Sequence, residues 1–188
     1  VVEHYTDALI LQMEDWSSRC RSYTIDSVYI GGGTPTYLDI KRISRIIDAI
    51  YANFKVDKYA EFTVECNPAT ADLDYLKKLR RLGANRLSIG CQSAQAVELK
   101  ALGRIHTYDQ FVACYNDARE AGFDNISVDL MYGIPEQTEQ SFIETLTAIT
   151  SLGPDHISLY ALKIEESTPF AAMRDKLVLP GEEAEFSM

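Results

Sequence analysis

Apolar positions along the chain alternate between two spacings. Val2, Tyr5, Leu9, Met13 and Trp16 recur at helical intervals and predict an amphipathic helix over 2–19. A short β-rich run at 27–30 follows and ends in Gly31, Gly32 and Gly33. Asp39 then caps a helix whose apolar face is Ile40, Ile43, Ile46, Ile47, Ile50 and Phe54. The next strand is 60–65, followed by a helix carrying Leu73, Leu76 and Leu79, with Thr70 as its cap and Gly83 as its stop. A third strand at 86–90 leads to a short helix at 94–102 and a longer one at 108–121. Thr107 and Gln110 stand at capping-box spacing before that longer helix, and Gly122 ends it. A fourth strand at 125–130 precedes a helix capped by Thr138, with Phe142, Ile143, Leu146 and Ile149 inside and Gly153-Pro154 beyond. The last clear strand is 156–162, and another helix starts near Gly181.

A helix, four strand–helix units and a closing strand describe an α/β protein with parallel strands and helices outside. Right-handed crossovers wind such a chain into a barrel or a doubly wound sheet. Five strands are too few to close, so the expectation is a partial, open TIM-like βα barrel. No linker or low-complexity stretch divides residues 1–188, which read as one domain. The chain opens on Val-Val-Glu and stops inside the last helix, so further sequence is expected on both sides.

Composition narrows the classes. Hydrophobic residues make up 46% and charged residues 24% of 188, as in ordinary globular proteins. The formal net charge of -10 argues against broad binding of a nucleic-acid backbone, which needs a basic face. No apolar run is long enough to span a membrane. Cys20, Cys66, Cys91 and Cys114 are scattered without a close ligand pair and read as reduced thiols of a cytoplasmic protein, although four cysteines could also form two disulfides.

In parallel βα folds ligands sit beyond the carboxyl ends of the strands. Four such ends here carry unusual residues: Gly31 to Thr36, Glu65 to Pro68, Gly90 to Ser93, and Asp129 before Tyr132-Gly133-Ile134-Pro135. Each has a plain alternative: a tight turn for the glycines, a surface carboxylate for Glu65, a backbone cap for Gln92, a cap or ion pair for Asp129. Their convergence on one rim predicts a polar mouth over an apolar barrel, suited to a small ligand with hydroxyls and an amine. The glycine run has neither Walker nor dinucleotide spacing, and its carbonyls are free to accept from an ammonium group. Arg104 offers a bidentate fork for a carboxylate, against the alternative of a surface pair with Glu98. Ammonium and carboxylate sites together describe an amino-acid ligand.

Ile30 to Thr36, Glu65-Cys66-Asn67-Pro68, Leu87 to Ser93 and Val128 to Pro135 resemble, in order, the motifs of radical SAM proteins related to oxygen-independent coproporphyrinogen III oxidase. The resemblance runs the length of the chain. It implies that the backbone of Gly31 and Gly32 holds the methionine amino group of S-adenosylmethionine, that Gly33 and Thr34 also belong to the cofactor site, that Glu65 takes the ribose hydroxyls, that Gln92 and Asp129 lie beside the ribose, and that Arg104 pairs with the carboxylate. It also implies a 4Fe-4S cluster held by C-x-x-x-C-x-x-C. That motif is absent here, so the cluster cysteines are expected before Val1 and this stretch alone is expected to be inactive. Leu102 to Thr107 and Tyr160 to Glu165 resemble the heme chaperones of the HemW type more than the true oxidase, which implies porphyrin or heme as partner. His4, His106 and His156 are candidate heme ligands by residue type, with a structural role as the alternative. Oligomeric state is not legible.

Overall fold

The structure, a computed structural model, describes residues 2–173 and 176–188. Its elements are α1 (Val2–Ser17), β1 (Ile25–Ile30), α2 (Ile40–Asn53), β2 (Val56–Cys66), α3 (Leu73–Arg81), β3 (Arg86–Gln92), α4 (Ala96–Ala101), α5 (Tyr108–Glu120), β4 (Asn125–Tyr132), α6 (Glu139–Ser151), β5 (His156–Ala161), α7 (Pro169–Ala172) and α8 (Glu182–Ser187). The five strands lie in the order β1-β2-β3-β4-β5, and every neighbouring pair is parallel. Sequential order means that each crossover steps the same way, so the right-handed rule puts the helices on one face. This removes the doubly wound alternative, whose strand order reverses. The sheet is the curled, open half-barrel that the strand count predicted, with β1 and β5 unpaired to each other.

The apolar core lies between sheet and helices. Phe62, Val64 and Cys66 of β2, Leu87, Ile89 and Cys91 of β3, and Ile126, Val128 and Leu130 of β4 are all buried there. They meet Ile43, Ile46 and Ile47 of α2, Leu76 and Leu79 of α3, Phe111, Cys114 and Tyr115 of α5, and Ile149 of α6. Fully burying one such side chain contributes about 1.5–3 kcal/mol. On α1 the predicted stripe is only half used: Leu9 and Met13 pack inward, while Tyr5 and Trp16 stay exposed.

The expected apolar barrel interior is not found. Residues of opposite parity face the concave side, and they are polar. Arg86 Nη1 lies 3.4 Å from Thr63 Oγ1, Ser88 bonds Asp129, and Ser127 Oγ lies 2.9 Å from His156 Nδ1. The polar groups satisfy one another instead of forming a thin rim over an oily bore.

Most predicted helix signals hold. Asp39 accepts from the Arg42 N–H, and Thr107 with Gln110 forms the full capping box. Thr138 caps α6 through Ser141, and Gly181 precedes α8. The exception is α3. Asp72 caps it by accepting from the Tyr75 N–H, because Thr70 is already used: its hydroxyl bonds the Asn67 carbonyl and lies 2.6 Å from the Thr36 hydroxyl. Thr70 therefore ties the β2 exit to the glycine loop.

Asp72→Ala should destabilise the protein by about 1 kcal/mol, the usual cost of a lost N-cap. Denaturant unfolding followed by circular dichroism checks this.

Candidate functional site

The carboxyl ends of the strands enclose a cavity of about 380 Å³ lined by Gly33, Thr34, Glu65, Gln92, Arg104 and Asp129. Six of the eight residues singled out from the sequence thus share one space. Gly31 and Gly32 border it from the adjoining apolar groove and reach it through Glu65.

Glu65 ends β2 and is held at both oxygens. Tyr29 Oη donates to Oε1 at 2.8 Å, and the Gly32 N–H donates to Oε2 at 2.9 Å. The glycine run is thereby pinned against β2. A side chain at Gly31 would bring its Cβ to 2.5 Å from the Tyr29 ring and 2.7 Å from Glu65 Oε1, so any larger residue would displace the Tyr29–Glu65 pair. Burial, with the bond to Glu65, pushes the Tyr29 phenol up to about 12. Tyr29 therefore acts as a fixed donor near neutral pH.

Gln92 sits at a break in β3. The register with β4 slips between Gly90 and Gln92, so β3 carries one extra residue there. Gln92 has φ +70°, rare for a residue with a side chain, and is 8% exposed. The cavity wall includes this residue, and its amide folds back over Gly90. Asp129 accepts from Ser88 Oγ at 3.0 Å on each carboxyl oxygen. Burial raises its pKa above the ordinary carboxylate value. Ser88 and Ser158 oppose the shift, and the nearby Glu65 adds to it.

Arg104 follows α4 and forms part of the cavity wall. Its guanidinium has no hydrogen bond or ion pair among the described residues. The alternative partner is excluded, because Glu98 is fully buried and accepts from Ser93, Gln137 and Ser141. Among the described residues the cavity therefore holds two carboxylates against one free cation.

The sequence reading gave no site role to Tyr29, Ser88, Asn67 and Tyr160, which also line the cavity. Strand parity would have found three of them. Tyr29 and Ser88 stand one residue before Ile30 and Ile89, two of the inward-facing apolar positions, and Tyr160 one after Leu159 in the same alternation. The three histidines are dispersed. His4 is exposed on α1, His106 is buried against Cys91, and His156 lies at the start of the edge strand beside Ser127. Cys66, Cys91 and Cys114 are free and buried, and Cys20 is free near the end of α1. Among the described residues no group of three His, Cys, Asp or Glu side chains is placed to hold a metal ion.

Residues 3–149 match the family described as the Radical SAM superfamily. The chain is 35% identical over 190 residues to a heme chaperone HemW of Bacillus subtilis (strain 168), covering 100% of this chain and 50% of that protein. It is 36% identical over 172 residues to an oxygen-independent coproporphyrinogen III oxidase of Escherichia coli (strain K12), covering 92% and 37% respectively. Among solved structures, coproporphyrinogen III oxidase (HemN) from Escherichia coli, a radical SAM enzyme, has a TM-score of 0.90 at 33% identity, over 99% of this chain and 43% of that one. The chain spans half or less of the length of these relatives.

The raised pKa of Asp129 has a definite sign. Its contribution to stability is fully present below the ordinary aspartate pKa and is lost as pH rises through the folded-state value. Asp129→Asn should therefore melt higher than the unsubstituted protein at pH 7, with the difference vanishing toward pH 3–4, in thermal scans across pH. Gly31→Ala should cost about 1–3 kcal/mol by crowding Tyr29 and Glu65, read by denaturant unfolding.

Proposed function

Because the chain belongs to the radical SAM superfamily, we propose that its rim cavity binds S-adenosylmethionine, and that the whole protein is a heme chaperone of the HemW type. The carrying observation is the charge arrangement. Among the described residues, Glu65 and Asp129 face a single unpaired cation, Arg104, across one polar cavity. S-adenosylmethionine bears a sulfonium, an ammonium and a carboxylate, so its net +1 complements the cavity's net −1. Its two ribose hydroxyls need acceptors, and its carboxylate needs a bidentate donor.

In this reading the carbonyls of Gly31, Gly32 and Gly33, with Thr34, take the ammonium group. Glu65, already oriented by Tyr29 and Gly32, accepts from the ribose hydroxyls with its remaining lone pairs. Gln92 and Asp129 lie beside the ribose, and Arg104 grips the carboxylate. When bound, S-adenosylmethionine supplies the sulfonium–carbon bond whose reductive cleavage drives radical chemistry. The chain's own part is to bind, orient and neutralise charge. The superfamily also implies a 4Fe-4S cluster, and the described residues do not fit one: three of the four cysteines are buried, and no group of three possible ligands gathers among these residues.

The chaperone reading is favoured over the oxidase by the segments Leu102 to Thr107 and Tyr160 to Glu165, which resemble the chaperones more closely. The oxidase, which would decarboxylate propionates of a porphyrinogen, stays as the alternative because a solved oxidase shares this fold closely. Free thiols support a reducing, cytoplasmic setting, and no helix among the described residues is long and apolar enough to cross a membrane. Full-length protein assayed in parallel for stable heme binding and for coproporphyrinogen decarboxylation separates the two. Heme retention without turnover is expected, and turnover would move the assignment to the oxidase.

Arg104→Ala should weaken S-adenosylmethionine binding by about 1.5–3 kcal/mol, the range for a hydrogen bond to a charged group. Arg104→Lys should recover only part, since lysine keeps the charge and loses the fork. Calorimetric titration of the full-length protein measures both, and unchanged affinity in Arg104→Ala would remove Arg104 from the site.

A further inference from the structure

His106 is 3% exposed and lies two residues beyond Arg104. Its Nε2 stands 3.2 Å from the Cys91 carbonyl oxygen. The same oxygen accepts from the Ser93 N–H at 2.9 Å, closing a three-residue turn centred on Gln92. That turn holds Gln92 at φ +70°, a conformation that persists only where surrounding groups over-determine it. A carbonyl can only accept, so the histidine nitrogen facing it carries the proton. Burial pulls the ring's pKa below the ordinary histidine value, so the ring is neutral near pH 7. Nδ1 is then a bare lone pair, buried without a partner among the described residues.

The other side of the segment is fixed as well. Gly103, at φ +67°, ends α4: its N–H reaches the Lys100 carbonyl, and the Arg104 N–H reaches the Leu99 carbonyl. This double closure sets the direction in which Arg104 leaves the helix. His106 then returns the chain to β3.

We propose that His106 is a positioning residue of the cavity: its ring ties the strained turn at Gln92 to the segment carrying Arg104, and so fixes the span between the ribose end and the carboxylate end of the ligand. The inference rests on the S-adenosylmethionine reading. A histidine kept only for packing would need no donor at this atom, and its loss would act equally whether or not Arg104 is present.

The test uses full-length protein with its cluster reconstituted, titrated calorimetrically with S-adenosylhomocysteine, with a thermal melt for each variant. Glutamine can place its amide N–H where Nε2 stands, and asparagine is too short to do so. His106→Asn should weaken binding about tenfold, and His106→Gln should stay within about threefold of the parent. In an Arg104→Ala background, His106→Asn should cost less than about threefold further, because the two residues act on one interaction. Equal losses in the asparagine and glutamine variants, or the same loss in both backgrounds, would overturn the proposal, as would unchanged affinity in His106→Asn. If the parent protein binds neither S-adenosylhomocysteine nor S-adenosylmethionine, by calorimetry and by equilibrium dialysis, the cofactor reading itself fails and this inference falls with it.

Discussion

The structure depends on the two-residue period of its parallel strands. Along β2, β3 and β4 one parity is apolar and faces the helices, through Phe62 and Val64, Leu87 and Ile89, and Ile126 and Val128. The other parity is left with Thr63 and Glu65, Arg86 and Ser88, and Ser127 and Asp129. The register aligns these sets from strand to strand, with Val64 beside Leu87, Leu87 beside Ile126 and Gly90 beside Asp129. A one-residue slip in any strand would turn its polar set into the core and its apolar set into the concave face. Burial of the apolar parity thus specifies where the ligand-facing groups of the regular strands, Glu65, Ser88 and Asp129, point.

At the rim the regular pattern is broken on purpose. The extra residue in β3 and the left-handed Gln92 bring an amide into the cavity where a continuing strand would carry it past. A buried carboxylate braces the segment that follows. Glu98 is fully enclosed with no cation beside it among the described residues, and Ser93, Ser141 and Gln137 supply donors in place of water. Since Ser93 leaves β3, Glu98 sits on α4 and Gln137 and Ser141 belong to the α6 entry, three segments are joined at one point. The polar triad holds the rim firmly enough for a strained turn to survive beside it.

The cavity carries a stability cost of the kind expected at binding sites. Asp129 is buried among hydroxyls beside a second carboxylate, and Arg104 has no hydrogen-bond or ion-pair partner among the described residues. Groups arranged to complement an absent charge are poorly matched to one another. This mismatch separates the cavity from the exposed pairs elsewhere, such as Arg45 with Glu3 and Asp7, which satisfy each other at the surface.

Element order, parallel direction and the rim positions of Glu65, Gln92, Arg104 and Asp129 were legible in the sequence alone. They follow from local rules: period, caps, glycine stops, and the fact that ligand groups gather at strand ends. The capping box of Thr107 and Gln110 needs only its own four residues, and it formed as written. Three features were decided by tertiary structure. The Thr70 hydroxyl was claimed by Thr36 and Asn67, partners far away or outside the helix, so the cap passed to Asp72. The concave face became polar because helices cover only one side of a singly wound sheet. Gln92 and His106 met at the Cys91 carbonyl because a bulge and a helix stop returned two separate segments to one atom. Propensity and spacing describe what a residue prefers among its neighbours in sequence, whereas competition between distant groups for one donor or acceptor is settled only when the chain has folded.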